Sequence, residues 1–166
     1  AETSTGAHQP LDGLGDLARS SDAILVVDTV TSLGGHDLRM DAWGIDVAMS
    51  GSQKGLMAPP GLGFVAANDR AREVHKKADL RTPYWDWTER EGAEHYRKYA
   101  GTAPVHLLFA VRQAINMLFE EGLDNVYARH ERLARATRAG AEALGLKLVA
   151  PTAPSPATTG IYLPAG

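Results

Sequence analysis

Ala23-Ile24-Leu25-Val26-Val27-Asp28 is the stretch on which the reading of this chain turns. Five apolar residues run without alternation and stop on an acid. Such a run predicts a strand buried on both faces, as in a parallel sheet covered by helices. It falls far short of the roughly 20 residues that cross a bilayer. Working outward, Leu11, Leu14, Leu17 and Ala18 recur at helical spacing after Pro10, a good first-turn residue. Downstream, Asp46-Val47-Ala48-Met49-Ser50 reads as a second short strand, residues 51–61 as a Gly/Pro-rich loop and residues 62–67 as a third strand. Asp69 is expected to cap a helix carrying Ala71, Val74 and Ala78.

Residues 79–101 hold Tyr84, Trp85, Trp87, Tyr96 and Tyr99 among many charges and read as irregular and partly exposed. A long helix is expected after Thr102-Ala103-Pro104, with Val105, Leu108, Val111, Ile115, Leu118 and Phe119 on its apolar side. Gly122 breaks it, and a second helix over 123–143 carries Val126, Leu133 and Ala136 at its apolar positions. Two further strands are expected over 146–149 and 158–163, around a stiff loop with Pro151, Pro154 and Pro156. The fold class is therefore α/β. Residues 1–121 read as the central part of a large domain with a mostly parallel sheet, and residues 122–166 as the start of a smaller α+β domain. The chain opens on Ala1 and stops directly after a strand, so it is read as a segment of a longer protein.

Composition narrows the function classes. Seventeen Lys+Arg against twenty Asp+Glu leave a net charge of −3, without the positive excess that nucleic-acid backbones require. There is no cysteine, which removes disulfides, thiolate nucleophiles and thiolate metal sites. No basic-then-apolar leader is visible, and the expectation is a cytoplasmic protein without a membrane segment. The six histidines, at 8, 36, 75, 95, 106 and 130, form no i, i+4 pair, so no metal site is expected. Arg129, Arg132, Arg135 and Arg138, interleaved with Glu131 and Glu142, read as a solvated helix face.

Ligands of open α/β sheets bind beyond the carboxyl ends of strands. Asp28 closes the first strand. Lys54 follows the second, in Ser50-Gly51-Ser52-Gln53-Lys54-Gly55. If the two strands are parallel neighbours, both side chains reach one crevice. A lysine amine forms a Schiff base with an aldehyde, and a carboxylate keeps a pyridine nitrogen protonated. Together they are the two handles by which proteins hold pyridoxal phosphate. Hydroxyls of Thr3, Thr29, Ser32 and Ser52 are candidates for its ring oxygen or phosphate. Taken singly, an aspartate at a strand end also serves as a turn cap, and a lysine in a glycine-rich loop as a solvated cation.

Taken together, several strings resemble the class V group of pyridoxal-phosphate-dependent aminotransferases, nearest to the alanine–glyoxylate and serine–glyoxylate enzymes. They are Glu2-Thr3-Ser4-Thr5-Gly6, Val26-Val27-Asp28-Thr29-Val30-Thr31-Ser32-Leu33-Gly34-Gly35, Trp43-Gly44-Ile45-Asp46, and Ser50-Gly51-Ser52-Gln53-Lys54 with Ala58-Pro59-Pro60-Gly61. The likeness continues through Tyr84-Trp85-Asp86-Trp87, Tyr99-Ala100-Gly101-Thr102-Ala103-Pro104 and Glu120-Glu121-Gly122-Leu123, and so covers nearly the whole chain.

The resemblance implies a large cofactor-binding domain and a transamination from serine or alanine to glyoxylate or a similar 2-oxo acid. It implies that Lys54 holds the cofactor as a Schiff base and that Asp28 pairs with the pyridine nitrogen. Thr3 would stand on the ring's phenolic oxygen and Gln53 at the phosphate. Tyr99 and Thr102 would reach the phosphate of the neighbouring subunit's cofactor in a homodimer. Gln53 also separates the chain from the related cysteine desulfurases, which have histidine before the lysine. Three family elements are absent from these residues: a glycine-containing phosphate loop, an aromatic stacked on the ring and an arginine for the substrate carboxylate. The alternatives are another class V enzyme, such as a phosphonate-amine aminotransferase or a lyase, and a non-catalytic fragment of the fold.

Overall fold

A computed structural model of the chain describes residues 1–164. Ala165 and Gly166, the end of the expected second domain, lie outside the described residues. The elements run in the order α1 (Leu14–Ser20), β1 (Val26–Asp28), β2 (Val47–Gly51), β3 (Gly63–Ala67), α2 (Asp69–His75), α3 (Trp87–Arg90), α4 (His95–Tyr99), α5 (Val105–Glu121), α6 (Leu123–Ala143), β4 (Lys147–Leu148) and β5 (Ile161–Tyr162).

The sheet is small and mixed. Its order is β1-β2-β3, with β1 and β2 parallel and β2 and β3 antiparallel; β4 and β5 form a separate antiparallel pair. The expected mostly parallel sheet is thus only half parallel here, because β3 returns from the loop at residues 52–62 as a hairpin-like partner of β2. A second expectation also fails. The aliphatic run predicts burial on both faces, yet Val26 is 47% exposed. Among the described strands, β1 has a neighbour only on its β2 side, so an unalternating apolar pattern stands at a sheet edge.

Two small apolar clusters hold the helices to the sheet. Leu56, Leu118 and Val126 form one, with Leu33, Phe64 and Tyr127 packed against it. Ala58, Val111 and Ala114 form the other, with Leu62, Phe64 and Ala110. Helix α5 therefore lies on Phe64 of β3 and on the loop that carries Lys54. Truncating Leu118 to alanine removes the side chain common to that loop, α5 and α6. The variant is expected to lose about 3 kcal/mol of stability in a denaturant titration.

Helix ends follow local chemistry. Asn68, not Asp69, caps α2: its side chain accepts from the Ala71 N–H, and Asp69 is the first helical residue. Asp86 caps α3 through the Thr88 N–H, so residues 79–101 contain two short helices within the stretch expected to be irregular. Tyr84 and Trp85 are exposed, as expected of that stretch. Gly122, at φ 84°, separates α5 from α6 in a backbone region that favours glycine. On α6 the buried residues are Val126, Ala134 and Ala141. Leu133 is 53% exposed, against expectation. The arginine ladder is not one solvated face either. Arg138 is largely buried, donating to the Ser155 carbonyl at 3.3 Å and to Glu131 at 3.2 Å, while Arg129 makes a two-point pair with Glu121. A spacing of three residues drifts around the helix, so the four arginines do not share one face.

Candidate functional site

The base of the site is the parallel pairing of β1 with β2, in which Asp28 stands opposite Met49. Both strands run the same way, so the loops leaving them emerge at the same sheet edge. That edge is locked by hydroxyls. Thr29 is buried and donates through Oγ1 to the Met49 carbonyl at 2.7 Å, and its backbone N–H donates to the same oxygen at 2.8 Å. Ser52 is fully buried. Its hydroxyl donates to the Pro59 carbonyl at 2.7 Å and accepts from the Leu62 N–H at 3.2 Å, closing the Lys54 loop at its neck. The hydroxyls of Thr29 and Ser52 are thereby engaged in holding the loops, which corrects their reading as contacts for a ligand. Ser32 is buried and lines the hollow beside Asp28.

The two loops then touch backbone to backbone. A Cβ on Gly34 would fall 2.6 Å from the Gly55 carbonyl oxygen, and a Cβ on Gly55 would collide with the Leu33 carbonyl oxygen. Only glycine permits this approach, and it binds the loop after Asp28 to the residue next to Lys54. Within the Lys54 loop, Met57 sits at φ 57° and its N–H donates to the Lys54 carbonyl at 2.9 Å, a tight turn in a conformation that non-glycine residues adopt at some strain.

Asp28 is exposed and its Oδ1 accepts from the Val30 N–H at 2.8 Å. The turn-cap role and a ligand role are compatible, because Oδ2 is not used by the turn. Asp28 lines a hollow of about 390 Å³ together with Thr29, Ser32, His8, His36 and Trp43. Lys54 is exposed and forms no ion pair among the described residues; it is not among the residues lining that hollow. Gln53 is exposed, with its side-chain oxygen folded over Gly51. Thr3 is exposed in the tight turn closed by the Glu2–Ala7 bridge.

Tyr99 stands apart. It lines a separate cavity of about 550 Å³ against β3, with Trp85, Trp87 and Arg72 among the walls. Thr102 is exposed and lines neither cavity. The fold thus brings the loops of Asp28 and Lys54 together and leaves Thr3, Tyr99 and Thr102 outside that contact.

Sequence reasoning missed the carboxylate that pins the opposite, entry end of these strands. Asp46 is buried and accepts from the Leu25 N–H at 2.8 Å, from Asn68 Nδ2 at 2.9 Å and from Arg70 at 2.7 Å. Burial alone would raise its pKa. The hydrogen bonds from Leu25 and Asn68 and the Arg70 charge outweigh burial and hold the carboxyl below its ordinary value. Its signal lay in the sequence as an acid heading an apolar strand, where an unpaired charge is not tolerated. A similar clasp fixes the aromatic stretch. Asp86 lies 3.1 Å from His75 Nε2, and His75 packs on Trp87. No group of three or more potential metal ligands occurs among the described residues, and none of their helices is long and apolar enough to cross a membrane.

Comparison with known proteins places this geometry. The family model for aminotransferase class-V matches residues 1–162. The chain is 42% identical to an uncharacterized aminotransferase of Methanocaldococcus jannaschii over 90% of this chain and 39% of that protein. It is 41% identical to the serine–glyoxylate aminotransferase of Arabidopsis thaliana over 88% of this chain and 37% of that protein. The crystal structure of an alanine–glyoxylate aminotransferase from Nostoc sp. superposes with a TM-score of 0.89 at 38% identity, over 100% of this chain and 45% of that one. The chain therefore spans about two-fifths of the length of the curated relatives it matches.

Proposed function

The chain belongs to the class-V aminotransferase family, and we propose that within the intact protein it supplies the lysine and the aspartate that hold pyridoxal phosphate for transamination. The amino donor is a small amino acid, serine or alanine, and the acceptor is glyoxylate or a similar 2-oxo acid. The observation that carries this reading is the backbone contact of Gly34 with Gly55. It ties the loop behind Asp28 to the loop of Lys54 at the carboxyl ends of two parallel strands. The names of the glyoxylate aminotransferases among the relatives support the acceptor.

The residues fit the cofactor's two handles. Asp28 presents an oxygen not used by its turn, and the amine of Lys54 has no competing carboxylate among the described residues. When bound, pyridoxal phosphate supplies a protonated ring that takes up the electron pair left as the substrate loses its α-proton. Lys54 Nζ would hold the cofactor through its aldehyde and, once freed by the substrate amine, would act as the base that takes the substrate's α-proton and the acid that delivers it to the cofactor. Asp28 Oδ2 would hold the ring N–H, and the Val30 N–H keeps that carboxylate oriented. Gln53 and Thr3 serve the cofactor's phosphate and phenolic oxygen. Tyr99 and Thr102, beyond β3, would serve the cofactor of a second copy in a homodimer. In this reading residues 1–121 belong to the cofactor-binding domain and residues 122–166 begin the smaller one.

Reduction with borohydride followed by peptide mass mapping tests the assignment directly, with the label expected on Lys54. A label on any other lysine refutes it. Replacement of Asp28 by asparagine tests the second handle. The exchange of the substrate α-hydrogen with D2O is expected to slow by on the order of 10²- to 10³-fold, with little change in melting temperature. An unchanged exchange rate in that variant removes Asp28 from the ring.

A further inference from the structure

Away from Lys54, three polar side chains meet where the N-terminal loop, the loop after β1 and the segment leading to β5 converge. The rings of His8 and His36 stack with centroids 4.7 Å apart and planes within 11° of parallel. His36 Nε2 lies 3.0 Å from Ser155 Oγ, and both residues are buried. The Nδ1 atom of His8 is buried without a hydrogen-bond partner. The backbone closes around the trio. The His8 N–H donates to the Ala153 carbonyl at 2.7 Å, and the Ser155 N–H donates to the Gly6 carbonyl at 2.8 Å. Ser155 Oγ also accepts from the Ala157 N–H at 3.0 Å, and Arg138 of α6 holds the Ser155 carbonyl. His36 itself ends the run of turns that starts behind Asp28, its N–H donating to the Ser32 carbonyl at 2.8 Å.

The seam is therefore built from groups whose neutral forms the fold favours. Burial, reinforced by the facing His8 and by His130, brings the His36 pKa down to about 4. Burial also lowers that of His8, against the opposing pull of Asp12. The charged groups that face the pair from the surrounding elements are Asp12, Asp28, His130 and, behind Ser155, Arg138. The nearest carboxylates on its own loop and on α6 are engaged elsewhere: Asp37 with Arg39, and Glu131 with Arg135 and Arg138. Asp12 favours a proton on His8, and Asp28 lines the same hollow as both rings, but burial outweighs the pull of Asp12 on His8 and leads the lowering of His36.

We propose that His8, His36 and Ser155 form a proton-released latch that fastens residues 153–157 to the loop behind Asp28, and that this latch opens before the rest of the fold as pH falls. The inference does not depend on the role given to Lys54. The sign follows from the depressed folded value. The latch is complete above about pH 6.5, the ordinary histidine value, and is lost as pH falls from there toward about 4. Each proton taken up on opening makes opening about tenfold easier per pH unit in that window.

Residue-resolved amide hydrogen exchange on the folded protein, corrected for intrinsic rates and followed from pH 8 to pH 5, reads this out. The amides of His8 and Ser155 are expected to lose protection relative to those of Val111 and Ala134, by up to about tenfold per pH unit below about pH 6.5. His36→Gln keeps a neutral hydrogen-bonding side chain and is expected to flatten that dependence. His8→Phe keeps an aromatic stack but removes one titrating ring and its like charge, so the loss of protection below about pH 6.5 is expected to be shallower than in the parent. A constant ratio of Ser155 to Ala134 protection across the range overturns the latch. So does a His36→Gln variant that opens with the same pH dependence as the parent. Should His36→Gln not fold, His8→Phe decides alone: a loss of protection as steep as the parent's refutes the proposal.

Discussion

Replacing Lys54 with alanine is expected to abolish transamination in the intact protein, with kcat reduced by on the order of 10⁴-fold or more. One amine performs two jobs in the proposed cycle. It is the covalent anchor at rest and the proton carrier during turnover, so no second group is left in place to take over either one. The loss is expected to be specific. Lys54 is exposed and forms no ion pair among the described residues, and nothing in the two apolar clusters rests on it. The melting temperature of the apoprotein is therefore expected to stay within a few degrees of the parent. A half-reaction assay, with serine or alanine and reconstituted cofactor, separates the two effects. A small added amine is expected to restore part of the proton transfer, because it replaces the base without replacing the anchor. An alanine variant that turns over within tenfold of the parent ends the assignment of Lys54 and, with it, the reading of the Gly34–Gly55 contact as the floor of an active site.

The same contact shows what a sequence reveals and what it withholds. Asp28 and Lys54 were legible because each follows an apolar strand, and strand ends in α/β sheets are where side chains meet ligands. The parallel pairing of those strands was a condition that the sequence stated but did not decide, and the structure meets it. The helices on either side of Gly122 were legible because long periodic segments need little tertiary help to declare themselves. Burial was less so. Leu133 fits the apolar period of α6 as well as Ala134 does, yet the face pressed against the rest of the chain admits the small residue and leaves the large one outside. Likewise the run from Ala23 to Val27 says that a strand wants cover, not whether a neighbour stands on both sides. The His36–Ser155 contact spans 119 residues, and no local pattern announces a pairing of that range.

Asp46→Ala is expected to cost about 3 kcal/mol of folding stability. The carboxylate receives at once the Leu25 N–H at the entry of β1, the Asn68 side chain that caps α2, and Arg70. Removing it leaves a backbone donor and a side-chain amide short of an acceptor. It also releases Arg70, which is 30% exposed and so recovers part of its solvation. That exposure places the expected effect at the low end of the range for a broken buried pair. Arg70 retains its contact with the Ala23 carbonyl, so the variant is expected to loosen the start of β1 rather than to lose the sheet. The pH dependence gives an independent check. The folded Asp46 pKa lies below its ordinary value, so its contribution is present above about pH 4 and is lost as pH falls further. Denaturant titrations at pH 7 and pH 3 are therefore expected to show a gap between parent and Asp46→Ala that narrows in acid. A gap of the same size at both values would mean that the side chain acts by packing alone, and that its three hydrogen-bond donors do not hold the charge. Since β1 carries Asp28 at its far end, an unpinned start of the strand is also expected to weaken cofactor retention in the intact protein, whereas Leu118→Ala, acting from the helix side, disturbs the Lys54 loop first.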